Sequence, residues 1–330
     1  MSEKSDTGDR GEMGDEALHE DAEGVGSEAG EQADPSENCD SACSSCAQDC
    51  SSRTEPMDMR AHPSAQSTIK HALAVVSGKG GVGKTLVTSM IAAALNKQGH
   101  SVGILDADIT GPSIPKAFGI EERIRANVQG MLPSVTQSGI QIVSTNLLLP
   151  EATTPVIWRG GIISSMVKQF YSEVLWGDID YLLIDMPPGT GDVPLTVYQS
   201  ISIDGVIVVT APQDLVSMIV GKAINMAIAM EVPVLGIIEN MSFFECPDCG
   251  SRHEIFGASK IGEIAEEYDI DLIGAIPILP DVARLMDAGR LEDVEFDALD
   301  SFISDLVVKA AEIAANESEE SEELEESDES

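Results

Sequence analysis

A chain of 330 residues with a net charge of −38 and only 19 Lys and Arg has room for one large α/β domain plus tails, or for two ordinary domains. A chain so acidic and lysine-poor carries no broad basic face, which argues against nucleic acid or an anionic membrane as a partner. The composition suits solubility at high salt, where like-charge repulsion is screened, and reads as that of a halophile.

Residues 1–66 are polar, acidic and rich in Ser, Gly and Glu, and are expected to be disordered apart from one cysteine cluster. The opening stretch, "MSEKSDTGDRGEMGDEALHED", lacks the apolar core of a secretory signal. No segment is long and apolar enough to span a bilayer, so a cytoplasmic protein is expected. There, cysteines serve as metal ligands or redox groups more often than as disulfides. The cluster "NCDSACSSCAQDC" holds Cys39, Cys43, Cys46 and Cys50. Thiolates so close in sequence could complete a metal cluster within one chain. A zinc ion, or free and redox-active thiols, are the alternatives.

Residues 67–316 read as one domain. Apolar runs of strand length recur: "ALAVVS", "SVGILDAD", "IQIVST", "YLLIDMP", "GVIVVTAP", "VPVLGIIEN" and "LIGAIPI". Near-continuous apolar strands are buried on both faces. Helical stretches such as "KTLVTSMIAAALNKQG" and "LVSMIVGKAINMAIAME" separate most of them. The alternation predicts βαβ units and a mostly parallel sheet with helices on both faces, with ligands at the carboxyl ends of the strands. The last stretch, 317–330, is a charge run and is expected to be a solvated, disordered tail.

Between the first strand and the first helix lies "SGKGGVGKT". It carries the phosphate-loop pattern G-x-x-x-x-G-K-[ST] in the context that pattern requires. Gly78, Gly80, Gly81 and Gly83 let the backbone curl so that its N–H groups point at phosphate oxygens. Lys84 is placed for the terminal phosphates and the Thr85 hydroxyl for Mg²⁺. The nucleotide contacts expected are therefore Gly78, Lys79, Gly80, Gly81, Val82, Gly83, Lys84 and Thr85. Two further strands end in carboxylates. "ILDADITGPS" brings Asp106 and Asp108, and "LLIDMPPGTGD" brings Asp185. Asp185 suits holding Mg²⁺ through water, and Asp108 suits orienting an attacking water. Gly189 and Gly191 suit a loop that senses the γ-phosphate.

With its extra lysine, "KGGVGKT" resembles the deviant phosphate loop of the partition, septum-positioning and nitrogenase-iron-protein ATPases. Together with "DADITGPS", "DMPPGTGD", "VTAPQ", "ENMS" and "CPDCG", it resembles one branch: the Mrp/ApbC-type iron–sulfur cluster carrier ATPases. The resemblance covers Thr68 to Leu291. It implies a P-loop ATPase fold, ATP and Mg²⁺ as ligands, slow ATP hydrolysis and a homodimer in which Lys79 reaches the partner's nucleotide. A second cation there would stabilise charge developing in transfer. With Lys84 and Asp108, Lys79 completes the expected catalytic set, and by the same resemblance Asn240 contacts the adenine base.

Cys246 and Cys249 form C-P-x-C, a spacing that lets both thiolates face one metal centre. Two thiolates leave a tetrahedral metal or a four-iron cluster short of ligands, and a symmetric dimer would supply four. On spacing alone "CPDCGSRH" reads like a zinc knuckle, with His253 a third ligand. The resemblance implies instead a [4Fe–4S] cluster bridging two subunits and passed to apo iron–sulfur proteins. The N-terminal cysteines depart from the family's four-cysteine motif, which has wider spacing between its first cysteines. The alternative for the whole chain is a positioning ATPase with a structural zinc site. The acidic C-terminus weighs against it, because that class needs a basic amphipathic helix or surface.

Overall fold

The strands form where Val, Ile and Leu cluster between polar turns, because such side chains pack well on a pleated surface buried on both sides. The computed structural model describes residues 60–108, 113–148, 160–212, 216–295 and 299–328. Cys39, Cys43, Cys46 and Cys50, and the expected disorder around them, lie outside these residues. One compact unit spans Asp58–Ser330.

Its first half contains β1 (Thr68–Val76), α1 (Lys84–Lys97), β2 (Val102–Asp106), α2 (Ser113–Ala117), β3 (Arg125–Ala126), β4 (Met131–Leu132), β5 (Ser134–Val135) and β6 (Gln141–Ser144). Then follow α3 (Gly160–Ser172), β7 (Asp178–Asp185), α4 (Asp192–Ser200), β8 (Gly205–Thr210), α5 (Val216–Ala229) and β9 (Val234–Asn240). The rest comprises β10 (Phe244–Glu245), β11 (Arg252–His253), α6 (Ile261–Glu267), β12 (Ile273–Ile276), α7 (Pro280–Asp287) and α8 (Asp300–Asp328). Eight strands make the main sheet in the order β12-β9-β8-β1-β7-β2-β6-β5. Its pairings are parallel except β5 with β6. The expected doubly covered parallel sheet is thus what forms.

Period-2 alternation sends successive side chains of β1 into different cores. Leu73 and Val75 join the core under α1, α2, α7 and α8, while Ala74 and Val76 join the core under α3, α4, α5 and α6. Helix α1 is buried from Val87 to Leu95 because the sheet and α8 enclose it. Each large apolar side chain taken out of water here contributes about 1.5–3 kcal/mol.

Both ends of the unit differ from the expected boundaries. The Ala61 N–H donates to the Ser200 carbonyl at 2.6 Å, and Ala61 packs on the second core. The fold therefore begins by residue 61 rather than at 67. Helix α8 continues to Asp328, past the expected break at 316. Its packed start, at Phe302, Ile303, Leu306 and Ala310, supplies the costly helix nucleus, and the Ala- and Glu-rich sequence beyond propagates it.

At the foot of the sheet His71 stacks on Tyr181 with ring centroids 5.1 Å apart. Its Nδ1 lies 3.9 Å from Asp204 Oδ2. Burial, then the charge of Lys70, lowers its pKa below the ordinary 6.5. The unfolded chain therefore binds this proton more readily than the folded one, so stability rises with pH across this titration. The contribution is present above about pH 6.5 and is lost as the pH falls below it. Thermal melts from pH 7.5 to 5 should show a fall that His71→Phe flattens. An equal fall in both proteins would remove His71 as its cause.

Candidate nucleotide site and cysteine hairpin

The chain leaves β1 at Val76, loops through Ser77–Gly83 and enters α1 at Lys84. Gly81 and Gly83 have φ of 84° and 83°, left-handed values that glycine adopts without a Cβ penalty. Gly83 is the N-cap of α1 and no side chain caps that end, so the first-turn N–H groups and the helix dipole face the loop's concavity. Such an arrangement attracts phosphate. Asn240, at the tip of β9, donates from Nδ2 to the Val82 carbonyl at 2.9 Å. A Cβ added at Gly83 would lie 2.2 Å from that nitrogen. Asn240 thus braces the loop, a role that motif reading missed.

Strand register builds the acidic side of the site. Asp185 pairs with Asp106, and Asp106 pairs with Ser144, across β7, β2 and β6. Lys84 Nζ donates to Asp185 Oδ1 at 2.6 Å and lies 3.9 Å from Asp108 Oδ2. The Thr85 hydroxyl donates to Asp185 Oδ2 at 2.8 Å. Thr88, one helical turn after Lys84, sets its hydroxyl 2.8 Å from Asp185 Oδ1. Asp106 is fully enclosed; burial, then the charge of Asp185, pushes its carboxyl well above the ordinary carboxylate range.

The structure therefore brings Lys84, Thr85, Asp108 and Asp185 together. Lys79 stands half-exposed on the same loop. Gly189 has φ 85° and donates its N–H to the Ser77 carbonyl at 2.8 Å, which ties the loop after β7 to the phosphate loop. Gly191 caps α4 in an extended conformation.

Cys246 and Cys249 sit in the turn between β10 and β11, the former half-buried and the latter exposed. The Cys246 N–H donates to the Ser251 carbonyl at 3.0 Å and the Gly250 N–H to the Cys246 carbonyl at 2.8 Å. The Cys249 thiol donates to Ser251 Oγ at 3.2 Å. Hydrogen bonding with the Ser251 side chain, then with its backbone and with Cys246, lowers the Cys249 pKa, which favours the thiolate. Among the described residues no three His, Cys, Asp or Glu side chains form a set able to hold a metal. His253 pairs with Phe244 in the hairpin register and is not gathered with the two cysteines into a three-ligand site. A metal bound at this pair would need ligands from elsewhere.

A family model for the NUBPL iron-transfer P-loop NTPases, in the ParA group, matches residues 68–311. The chain belongs to this family. The chain is 50% identical over 214 residues to the iron-sulfur cluster carrier protein of Methanocaldococcus jannaschii, covering 64% of this chain and 74% of the relative. It is 44% identical over 234 residues to that of Clostridium perfringens, covering 68% and 82%. A nucleotide-binding protein from Archaeoglobus fulgidus, solved in complex with ADP, matches at TM-score 0.65 and 46% identity, over 71% of this chain and 92% of that one. The cell-division ATPase MinD of Pyrococcus furiosus, at 18% identity and TM-score 0.53 over 74% of this chain and 99% of its own, shares the fold. Among the described residues of the NTPase no helix is long and apolar enough to cross a membrane.

Three polar residues of this NTPase's site escaped sequence reading in different ways. Thr88 was accessible, because it lies four residues after Lys84 and so on the same helix face. Asp106 was visible as a strand-end carboxylate but had no stated partner. Ser144 had no local mark at all, since only strand pairing sets it beside Asp106.

Proposed function

We propose that the chain is an ATP-binding and ATP-hydrolysing carrier, acting as a cytoplasmic homodimer. It holds a [4Fe–4S] cluster between Cys246 and Cys249 of each copy and passes it to apo iron–sulfur proteins. The observation that carries this reading is the cysteine pair in an exposed turn, six residues along the chain from the asparagine that braces the phosphate loop. Two thiols with no third ligand beside them among the described residues suit a centre completed by a second copy. The carrier names of the relatives above support the same reading.

For nucleotide, the N–H groups of Gly78 to Thr85 and the Lys84 ammonium bind the phosphates. Thr85 and Asp185 are the residues that would hold Mg²⁺, which when bound neutralises charge on the β- and γ-phosphates. Asp108 orients the attacking water, and Asn240 is assigned to the adenine base. Lys79 is assigned to the partner's nucleotide. Anaerobic reconstitution of the purified protein with ferrous iron and sulfide tests the carrier role. A brown dimer whose broad visible absorption moves to an added apoprotein is expected. A colourless protein that takes up zinc and rejects iron would overturn it.

A further inference from the structure

We propose that Ser144 is a positioning residue for ATP hydrolysis, acting through Asp106 on Asp108. The inference rests on the hydrolysis reading above and deepens it.

Three neighbouring parallel strands end level with one another, so that Asp185, Asp106 and Ser144 form a row. The Ser144 hydroxyl donates to Asp106 Oδ2 at 2.7 Å. The other oxygen, Asp106 Oδ1, accepts the backbone N–H of Asp108 at 3.1 Å. Asp106 is thus held at both oxygens, one by β6 and one by the residue it positions. Ser144 Oγ in turn accepts the Asn146 N–H at 3.3 Å. A hydroxyl that accepts and donates at once is polarised, and its bond to a carboxyl oxygen is strengthened. Ser144 and Asp106 are 0% and 1% exposed, so bulk water does not compete for these bonds.

The consequence is directional. Asp108 reaches toward Lys84, with Oδ2 at 3.9 Å from Nζ, and its backbone N–H is held by Asp106. Losing the Ser144 hydroxyl frees the Asp106 carboxyl to rotate and loosens that anchor. The contacts that bind nucleotide, from Gly78 to Thr85, are untouched. Turnover falls and ground-state binding does not, the pattern expected when only transition-state geometry is disturbed.

The test compares wild type, Ser144→Ala, Ser144→Thr, Asp106→Asn and the double variant Ser144→Ala/Asp106→Asn, in the full chain with Mg²⁺. ATP turnover gives kcat and KM, and titration with ADP gives affinity. Ser144→Ala should lower kcat about tenfold, the scale of one hydrogen bond to a carboxylate, with ADP affinity within about twofold. Ser144→Thr restores the hydroxyl and should recover most of the loss. In the Asp106→Asn background the Ser144→Ala change should add nothing, because the two residues act as one unit. Should Ser144→Ala not fold, Ser144→Cys, which keeps the volume but donates weakly, should show the same split. Unchanged kcat in the folded Ser144 variants, or a full multiplicative loss in the double variant, would overturn the inference while leaving the hydrolysis reading intact. A wild-type protein that binds ADP but never turns over ATP would overturn that reading, and this inference with it.

Discussion

Replacing Cys246 and Cys249 together by serine is expected to abolish cluster binding by the folded unit and transfer to an apoprotein, while nucleotide affinity persists. Serine matches cysteine in size, but its hydroxyl stays protonated near neutral pH and ligates iron poorly. The turn itself should survive, because the backbone bonds Cys246 N–H to Ser251 and Gly250 N–H to Cys246 hold it without either sulfur. The phosphate loop is braced by Asn240, which the substitution leaves in place. The dimer should weaken, since metal–thiolate bonds across its interface contribute association free energy. Iron held at Cys39, Cys43, Cys46 or Cys50 would confuse the readout. The experiment therefore uses the compact unit beginning at Asp58. Iron and sulfide content, visible absorption and ADP titration are measured on the same preparation. A double variant of that unit that still assembles and delivers a cluster would show that the carrier site lies elsewhere.

The second large effect is at Lys84. Its side chain is 5% exposed and its ammonium meets Asp185, which is wholly buried, at 2.6 Å. Lys84→Ala removes the principal cation facing the phosphates and leaves that carboxylate without its counter-charge. Across a binding interface, removing the cation of a buried charge pair, here Lys84 against a bound phosphate, costs about 2–5 kcal/mol, or roughly 30-fold to several-thousand-fold in Kd. Nucleotide affinity measured by titration is expected to fall by that much. The melting temperature should fall as well, because Asp185 and Asp106 then face each other with less compensation. ADP bound with wild-type affinity by a folded Lys84→Ala protein would refute the assignment of this loop as the nucleotide site.

Much of this molecule is legible in one dimension. The strand-length apolar runs, the helices between them and the loop "SGKGGVGKT" announce a parallel sheet with a phosphate site at its carboxyl edge, because the periods of strand and helix and the φ freedom of glycine are local properties of the chain. The C-P-x-C spacing is local too, and so marks a two-thiolate turn. The ends of the unit were less legible. Ala61 is held by a carbonyl that sequence distance hides, and α8 runs to Asp328 because its packed first turns nucleate residues whose composition alone reads as a tail.

The tertiary structure decided which residues face one another. Nothing near Asn240 in sequence points to Val82, 158 positions away, and nothing near Ser144 points to Asp106, 38 positions away. These meetings follow from strand order and register, and register is set by how both faces of the sheet pack against their helices. That His253 does not join Cys246 and Cys249 in a three-ligand set among the described residues is likewise a matter of hairpin pairing, which sets His253 opposite Phe244. Sequence determines the elements and the chemical inventory because those depend on near neighbours. The pairing of that inventory into a braced loop, a buried acid row and an incomplete thiolate pair depends on contacts between distant segments, and only the folded chain makes them.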